Sequence, residues 1–203
     1  MKVIGLCGGS GSGKGTLAAM LSEGGFLHID ADAVYHEITS GDSPCLRAMT
    51  EAFGRDIISP SGALDRRALA SVVFADGAKE KLSLLNTISH RYVLDEIRQR
   101  IVSAEGKYIG AIVDAPLLFE SGFNTECDII ISVIAPRDVR ISRISERDGI
   151  SKEAAQRRIN AQLDDEFLRL HSDIIITNDK DTAALYEQAQ ALINRLKEKE
   201  NGL

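Results

Sequence analysis

From residue 8 to residue 16 the chain reads Gly8-Gly9-Ser10-Gly11-Ser12-Gly13-Lys14-Gly15-Thr16, directly after the β-branched and apolar run Lys2–Cys7. Few segments restrict a fold so tightly. The run before it reads as a strand that stops at the glycines, and Thr16–Leu21 reads as the opening of a helix. Glycines in such a turn let successive backbone N–H groups face one anion. The helix N-terminus adds its dipole, and Lys14 is placed to reach the β- and γ-phosphates of a nucleotide, its side chain facing solvent until phosphate arrives. A merely flexible Gly/Ser turn needs none of this strand, spacing, lysine and helix register. One position departs from the pattern. The residue after the lysine is usually Ser or Thr, whose hydroxyl ligates Mg²⁺; here it is Gly15, followed by Thr16. Thr16 or water fills that place, or the ion is held less tightly.

Composition bounds what surrounds this loop. With 203 residues, the chain is long enough to bury a core without disulfides or structural metal, as one domain or one domain with insertions. At 44% hydrophobic and 27% charged residues it is neither disordered nor low-complexity. A net charge of −6 gives no general electrostatic reason to bind nucleic acid or an anionic membrane. No apolar run spans a bilayer, and the chain opens on the first strand with no signal peptide ahead of it. Cys7, Cys45 and Cys127 are scattered and odd in number, which fits a reducing, cytoplasmic setting. No obligate protein partner is evident.

Apolar runs alternate with helical periodicity, the pattern of an α/β fold with a parallel sheet. Five strands are expected, each buried on both faces: Lys2–Cys7, Phe26–Ile29, Tyr108–Val113, Ile129–Ile134 and Ile174–Thr177. Two helical stretches look inserted. The first, about 31–105, is interrupted at Gly41–Pro44, at Ser59–Gly62 and around Asp76–Gly77, and contains a helix face formed by Leu94, Ile97 and Ile101. The second, about 136–171, reads as an arginine-rich pair of helices, the second capped by Ser151. Asp181 caps a closing helix that ends in a solvated tail, Lys197–Asn201.

Candidate chemistry gathers at the strand ends. Asp30-Ala31-Asp32 lies at the C-terminal end of the second strand, where open α/β sheets bind ligands. A carboxylate there can orient and deprotonate an acceptor hydroxyl, or it can cap the helix that follows; the pair allows one aspartate for each. Asp114, ending the third strand, resembles the acid that holds the Mg²⁺ hydration shell in P-loop proteins. Arg140, Arg143 and Arg147 share one helix face at i, i+3 and i+7, preceded by Arg137 and followed by Arg157 and Arg158. Such a run is either a solvated face or a lid that brings cations to a transferring phosphoryl group and excludes water. His28, His36, His90 and His171 show no metal spacing. A GTPase is excluded, since Asp114 is followed by Ala115-Pro116-Leu117 and Asn178-Asp179-Lys180-Asp181 carries its lysine one place late; that segment reads as a turn and a helix cap.

Over nearly its whole length the chain resembles the dephospho-coenzyme A kinase family. The resemblance is carried by Gly5 through Thr16, by Asp30-Ala31-Asp32 with His36, by Gly62-Ala63-Leu64-Asp65-Arg66 ahead of Leu69 and Val73-Phe74, and by Ile88-Ser89-His90. It continues through Asp114-Ala115-Pro116-Leu117-Leu118-Phe119-Glu120, Arg143, Arg147-Asp148, Arg158-Ile159 and Gln162. It implies transfer of the ATP γ-phosphate to the ribose 3′-hydroxyl of dephospho-coenzyme A, with Mg²⁺. It also implies a three-layer P-loop fold: a nucleotide core at 1–30, 106–135 and 172–203, an acceptor-binding helical domain at 31–105 and a lid at 136–171. By that resemblance Gly11, Ser12, Gly13, Lys14, Gly15 and Thr16 bind ATP; the lid reading of the arginine face puts Arg140 beside them and Arg143 and Arg147 on the transferring group. Asp32 is the base. Asp30, His90, Arg91, Leu117, Phe119 and Glu120 border the acceptor, and Thr16 and Asp114 face the metal. The chain departs from the family at Cys7 (usually Thr), Gly15 (usually Ser or Thr) and Arg91 (usually Pro). A nucleoside monophosphate-type kinase would share cradle and lid, and a non-catalytic ATP-dependent switch would share the cradle. The Leu-Leu-Phe-Glu string argues for the first reading over the kinase, and Asp32 against the switch.

Overall fold

The computed structural model describes residues 1–75 and 77–201. In chain order the elements are β1 Lys2–Cys7, α1 Lys14–Glu23, β2 Leu27–Asp30, α2 Ala31–Ile38, α3 Pro44–Phe53, α4 Arg66–Val73, α5 Lys79–Ser103, β3 Gly110–Asp114, β4 Ile129–Ile134, α6 Arg137–Asp148, α7 Lys152–Asn160, α8 Asp165–His171, β5 Ile174–Thr177 and α9 Thr182–Asn201. The sheet is ordered β2-β3-β1-β4-β5, with β1 paired in parallel to both β3 and β4. β1 is therefore central, and the chain order of the strands changes direction around it, which is where open α/β sheets form their ligand crevice. Register places Leu6 opposite Asp114 and Cys7 opposite Ser132, so the glycine loop leaving Cys7 emerges beside the end of β3.

The core explains the strand pattern. Ile4, Leu6, Ile112, Ile131 and Val133 pack with Leu17 and Leu21 of α1 and with Leu185, Ala189 and Ile193 of α9. Burial on both faces holds for β3, all five of whose residues are buried, but the outer strands β2 and β5 each bury a single residue, Ile29 and Ile176. Edge strands have a neighbour on one side only, so less of their surface is covered.

The chain divides into two compact units, Met1–Ile29 with Ala104–Leu203, and Asp30–Ser103. In the second, Cys45, Met49, Ile57, Leu69 and Val73 form a core of their own. Its helices start where the sequence supplies caps. Asp30 accepts from the N–H groups of Asp32 and Ala33, Ser43 from Leu46 with Pro44 behind it, and Asp65 from Arg67 and Ala68. Breaks fall at Gly41–Pro44 and Ser59–Gly62 as expected; Asp76, where a third was expected, lies outside the described residues. Ile97 is buried on the long α5, the centre of the expected face.

One expectation is corrected. The segment 136–171 contains three helices, not two, because the Asp164 side chain accepts from Phe167 N–H at 2.7 Å and starts α8 after the turn at Ala161. The closing helix α9 runs through Lys197–Asn201, its expected end, and Glu198 there is exposed; Gly202 and Leu203 lie outside the described residues. Among the described residues no helix is long and apolar enough to cross a membrane.

Candidate active site

Gly13 adopts φ +97° and hands the chain to α1 at Lys14, so the last residue of the glycine loop is left-handed and the next is helical. Lys14 does not face solvent. Its ammonium is ion-paired with Asp114, and its side chain is only 17% exposed. The cause lies in the register of β1 and β3: it places Asp114, 6% exposed, next to the loop, and a buried carboxylate requires a cation. His28 Nε2 approaches the other carboxylate oxygen at 3.8 Å.

The arginine face divides. Arg140, 4% exposed, donates from Nε to the Ser10 carbonyl at 2.9 Å, and its Nη groups reach Asp165 and Gln162 at 3.3 Å. Burial pushes its pKa below the usual arginine range, against the pull of Asp165, yet at any ordinary pH the group stays charged. Arg143 donates to the carbonyls of Gly11 at 3.3 Å and Asn178 at 3.4 Å. Arg147 is different: its side chain is 60% exposed and pairs with Asp148. That pairing, joined by Arg158, holds the Asp148 carboxyl down at about 2.

Asp30, the last residue of β2, and Asp32, in the first turn of α2, have different surroundings. Asp30 spends Oδ1 on capping α2. Asp32 is exposed and lines a cavity of about 440 Å³ together with Tyr35, Arg66, Leu69, Val73 and Phe74. Arg66 Nη2 lies 2.9 Å from His36 Nδ1 at the same place. His90 is half-buried midway along α5, and the Arg91 guanidinium lies over the Tyr92 ring. In the first unit, Leu117, Phe119 and Glu120 line a cleft with Cys7, Gly8 and Gly9. Phe119 meets the Phe167 ring edge-on at a centroid distance of 5.1 Å.

Thr16 is exposed on the first turn of α1, and a Cβ at Gly15 would meet nothing within 4 Å. Among the described residues no group of three or more His, Cys, Asp or Glu could hold a metal by itself. All three cysteines are free. Cys7 Sγ lies 2.8 Å from Ser132 Oγ, and burial pushes its thiol up; burial also raises Cys127 to about 12.

Sequence reasoning missed two residues here. Asn178, read as part of a turn, is buried and donates to the Ser12 carbonyl at 2.8 Å. Its only signal was its place directly after β5. His28, taken as a core or surface residue, is the second group facing Asp114; its position two residues before Asp30 on β2 was the clue.

A glycine loop between the central strand and a helix, its lysine paired with an acid on the adjacent strand, defines a P-loop nucleotide-binding protein. The fold agrees: a shikimate kinase from Bacteroides thetaiotaomicron aligns over 97% of this chain and 98% of its own with a TM-score of 0.56, at 17% identity. The family is narrower. The family model for dephospho-CoA kinase matches residues 2–184. Dephospho-CoA kinase from Corynebacterium efficiens is 39% identical over 191 residues, 94% of each chain. The structure of dephospho-CoA kinase from Campylobacter jejuni superposes with a TM-score of 0.71 over 98% of this chain and all of that one, at 26% identity. The chain belongs to the dephospho-CoA kinase family and is a kinase, with ATP as co-substrate, of the last step of coenzyme A biosynthesis.

Proposed function

We propose that the chain transfers the γ-phosphate of ATP, bound with Mg²⁺, to the ribose 3′-hydroxyl of dephospho-coenzyme A. The observation that carries this reading is the Lys14–Asp114 pair at the mouth of the glycine loop, in a chain similar over 94% of its length to a dephospho-CoA kinase. In this reading residues 1–30, 106–135 and 172–203 hold the nucleotide, 31–105 the acceptor, and 136–171 form the lid. Residues 11–16 wrap the phosphates, and Lys14 exchanges part of its contact with Asp114 for phosphate oxygens.

The donor set suits a metal that arrives on ATP. Mg²⁺ keeps several waters in phosphate-bound sites and needs one or two protein oxygens, not a cage. Asp114 is a buried acid whose Oδ1 pairs with Lys14 and whose Oδ2 lies 3.8 Å from His28 Nε2, and Thr16 is exposed. Asp114 would hold the ion's waters, and the ion would neutralise charge on the β- and γ-oxygens.

Asp32 takes the 3′-hydroxyl proton as the acceptor oxygen bonds to the γ-phosphorus, and the bond to the ADP oxygen breaks. Its exposure in a cavity with Tyr35 and Arg66 supports this assignment, as does the capping duty of Asp30, whose Oδ1 accepts from the Asp32 and Ala33 N–H groups. Arg143 supplies positive charge at the cradle; Arg147 joins it only by leaving Asp148. Leu117, Phe119 and Glu120, with His90, border the acceptor. A cytoplasmic setting goes with this reading.

A coupled ADP-release assay with ATP against dephospho-coenzyme A and a panel of nucleoside monophosphates tests the proposal. Turnover with dephospho-coenzyme A at least about a hundredfold above every monophosphate is expected, a specificity a hydroxyl-reading site readily reaches. Preference for a monophosphate would overturn it.

A further inference from the structure

A P-loop presents N–H groups to its anion, so its carbonyls point away and must find donors on the other side. Here three consecutive carbonyls each have one. Ser10 is held by Arg140 Nε at 2.9 Å, Gly11 by Arg143 Nη1 at 3.3 Å, and Ser12 by Asn178 Nδ2 at 2.8 Å. Gln162 joins the set from the end of α7: Oε1 accepts from Ser10 N–H at 2.9 Å and from Arg140 at 3.3 Å, while Nε2 donates to Ser10 Oγ at 3.1 Å. Asn178 does double duty, since its Oδ1 and its own carbonyl both face Arg143.

The glycines record how closely this set approaches. A Cβ at Gly9 would overlap the Arg140 guanidinium, and one at Gly13 would overlap Asn178 Nδ2, whereas one at Gly15 would meet nothing. Gly9 and Gly13 therefore leave room for side chains behind the loop as well as for a ligand in front.

We infer that Asn178 and Gln162 are positioning residues: Asn178 holds the Ser12 carbonyl, and Gln162 holds the Ser10 N–H and hydroxyl together with the Arg140 that grips the Ser10 carbonyl, so that the loop is fixed for the nucleotide phosphates before ATP binds. Neither residue touches the phosphates in this role. Asn178 lies at the end of β5 and Gln162 just beyond α7, so the loop is tied to two elements far apart in sequence. Fixed dipoles need no reorganisation when charge arrives, which is the advantage such a brace supplies. Asn178 also sets Arg143, whose 3.3–3.5 Å contacts are the longest of the group and the easiest to exchange for phosphate oxygens. The inference rests on the P-loop being the ATP site and is independent of which acceptor is used.

The test combines two kinds of variant. Asn178→Asp keeps shape but sets a carboxylate oxygen against the Ser12 carbonyl in place of a donor. KM for ATP and Kd for ADP should each rise at least about tenfold, the factor that corresponds to 1.4 kcal/mol, with KM for dephospho-coenzyme A within about twofold of wild type. Gln162→Ala should raise KM for ATP several-fold. Gln162→Glu, which still accepts from Ser10 N–H and Arg140, should recover most of that loss. Unchanged ATP affinity in folded Asn178→Asp, or equal losses for both substrates, would overturn the inference. Should Asn178→Asp fail to fold, the exposed Gln162 decides: Ala and Glu variants that behave alike refute the brace. Wild-type protein that binds no ADP in the same titrations would refute the P-loop reading itself.

Discussion

Lys14 and Asp32, the residues proposed to carry donor and acceptor chemistry, sit in opposite surroundings. Lys14 is mostly covered, its charge already answered by the buried Asp114, and the loop around it is tied at three carbonyls. Asp32 stands exposed in a cavity while its neighbour Asp30 does the structural work of capping α2. In the proposed reading the nucleotide side is already held by internal contacts, and the acceptor side is an open cavity wall that carries Asp32. Substitutions on the first should therefore cost stability and activity together, and those on the second should cost rate alone.

The largest effect tests the covered side. Lys14→Ala should reduce turnover by at least about a thousandfold and destabilise the protein by about 3 kcal/mol, because Asp114 is left charged and buried. Adding Asp114→Asn should return much of the stability and none of the activity. Urea unfolding beside the coupled assay reads both; a Lys14→Ala protein as stable as wild type would show that the pair contributes nothing.

On the open side, Asp32→Asn should lower kcat by ~10²–10⁴ with nucleotide affinity and melting temperature unchanged. Asp30→Asn retains a capping oxygen and should stay active, whereas Asp30→Ala should cost about 1 kcal/mol of stability. If Asp30→Asn loses the rate and Asp32→Asn does not, the base belongs to Asp30.

The arginines of α6 carry the same contrast in miniature. Arg143→Ala should lower kcat by about tenfold or more, and Arg147→Ala by far less, as expected of a group engaged with Asp148 on the surface. Equal losses would mean that Arg147 leaves Asp148 during the reaction. Asp148 adds a pH signature. Its carboxyl is held at about 2 in the fold, below its ordinary value, so its stabilisation is present above pH 4 and disappears as pH falls through about 2. Asp148→Asn should melt below wild type at pH 7, and the difference should close near pH 2.

The smallest effect concerns Gly15. With open space at its Cβ, Gly15→Ser should fold at least as stably, since serine is the better helix former by a few tenths of a kcal/mol. It should also reach half-maximal rate at lower free Mg²⁺. Identical Mg²⁺ titrations would leave Asp114 alone holding the ion's waters.

Local signals carried the sequence a long way. β1, β4 and β5 are bounded by apolar, β-branched runs that end at glycine, proline or asparagine, and their limits agree with the structure to the residue. Asp30 and Asp32 were both legible as candidates, but a cap and a base look alike until hydrogen-bond donors are placed. What escaped depends on distance along the chain. Lys14 meets a partner 100 residues away, and Asn178 reaches Ser12 across 166 residues. No spacing rule announces such a bond. The start of α8 was local, yet Asp164 is followed by two more acids that resemble a solvated turn as readily as a cap.

One measurement bears on the centre of the account. With γ-³²P-labelled ATP and dephospho-coenzyme A, the position of the transferred phosphate can be mapped for wild type and Asp32→Asn. The account predicts label on the ribose 3′-oxygen alone, formed rapidly by wild type and slowly by Asp32→Asn despite equal ATP binding. Label elsewhere on the acceptor, or equal rates for the two proteins, would contradict it.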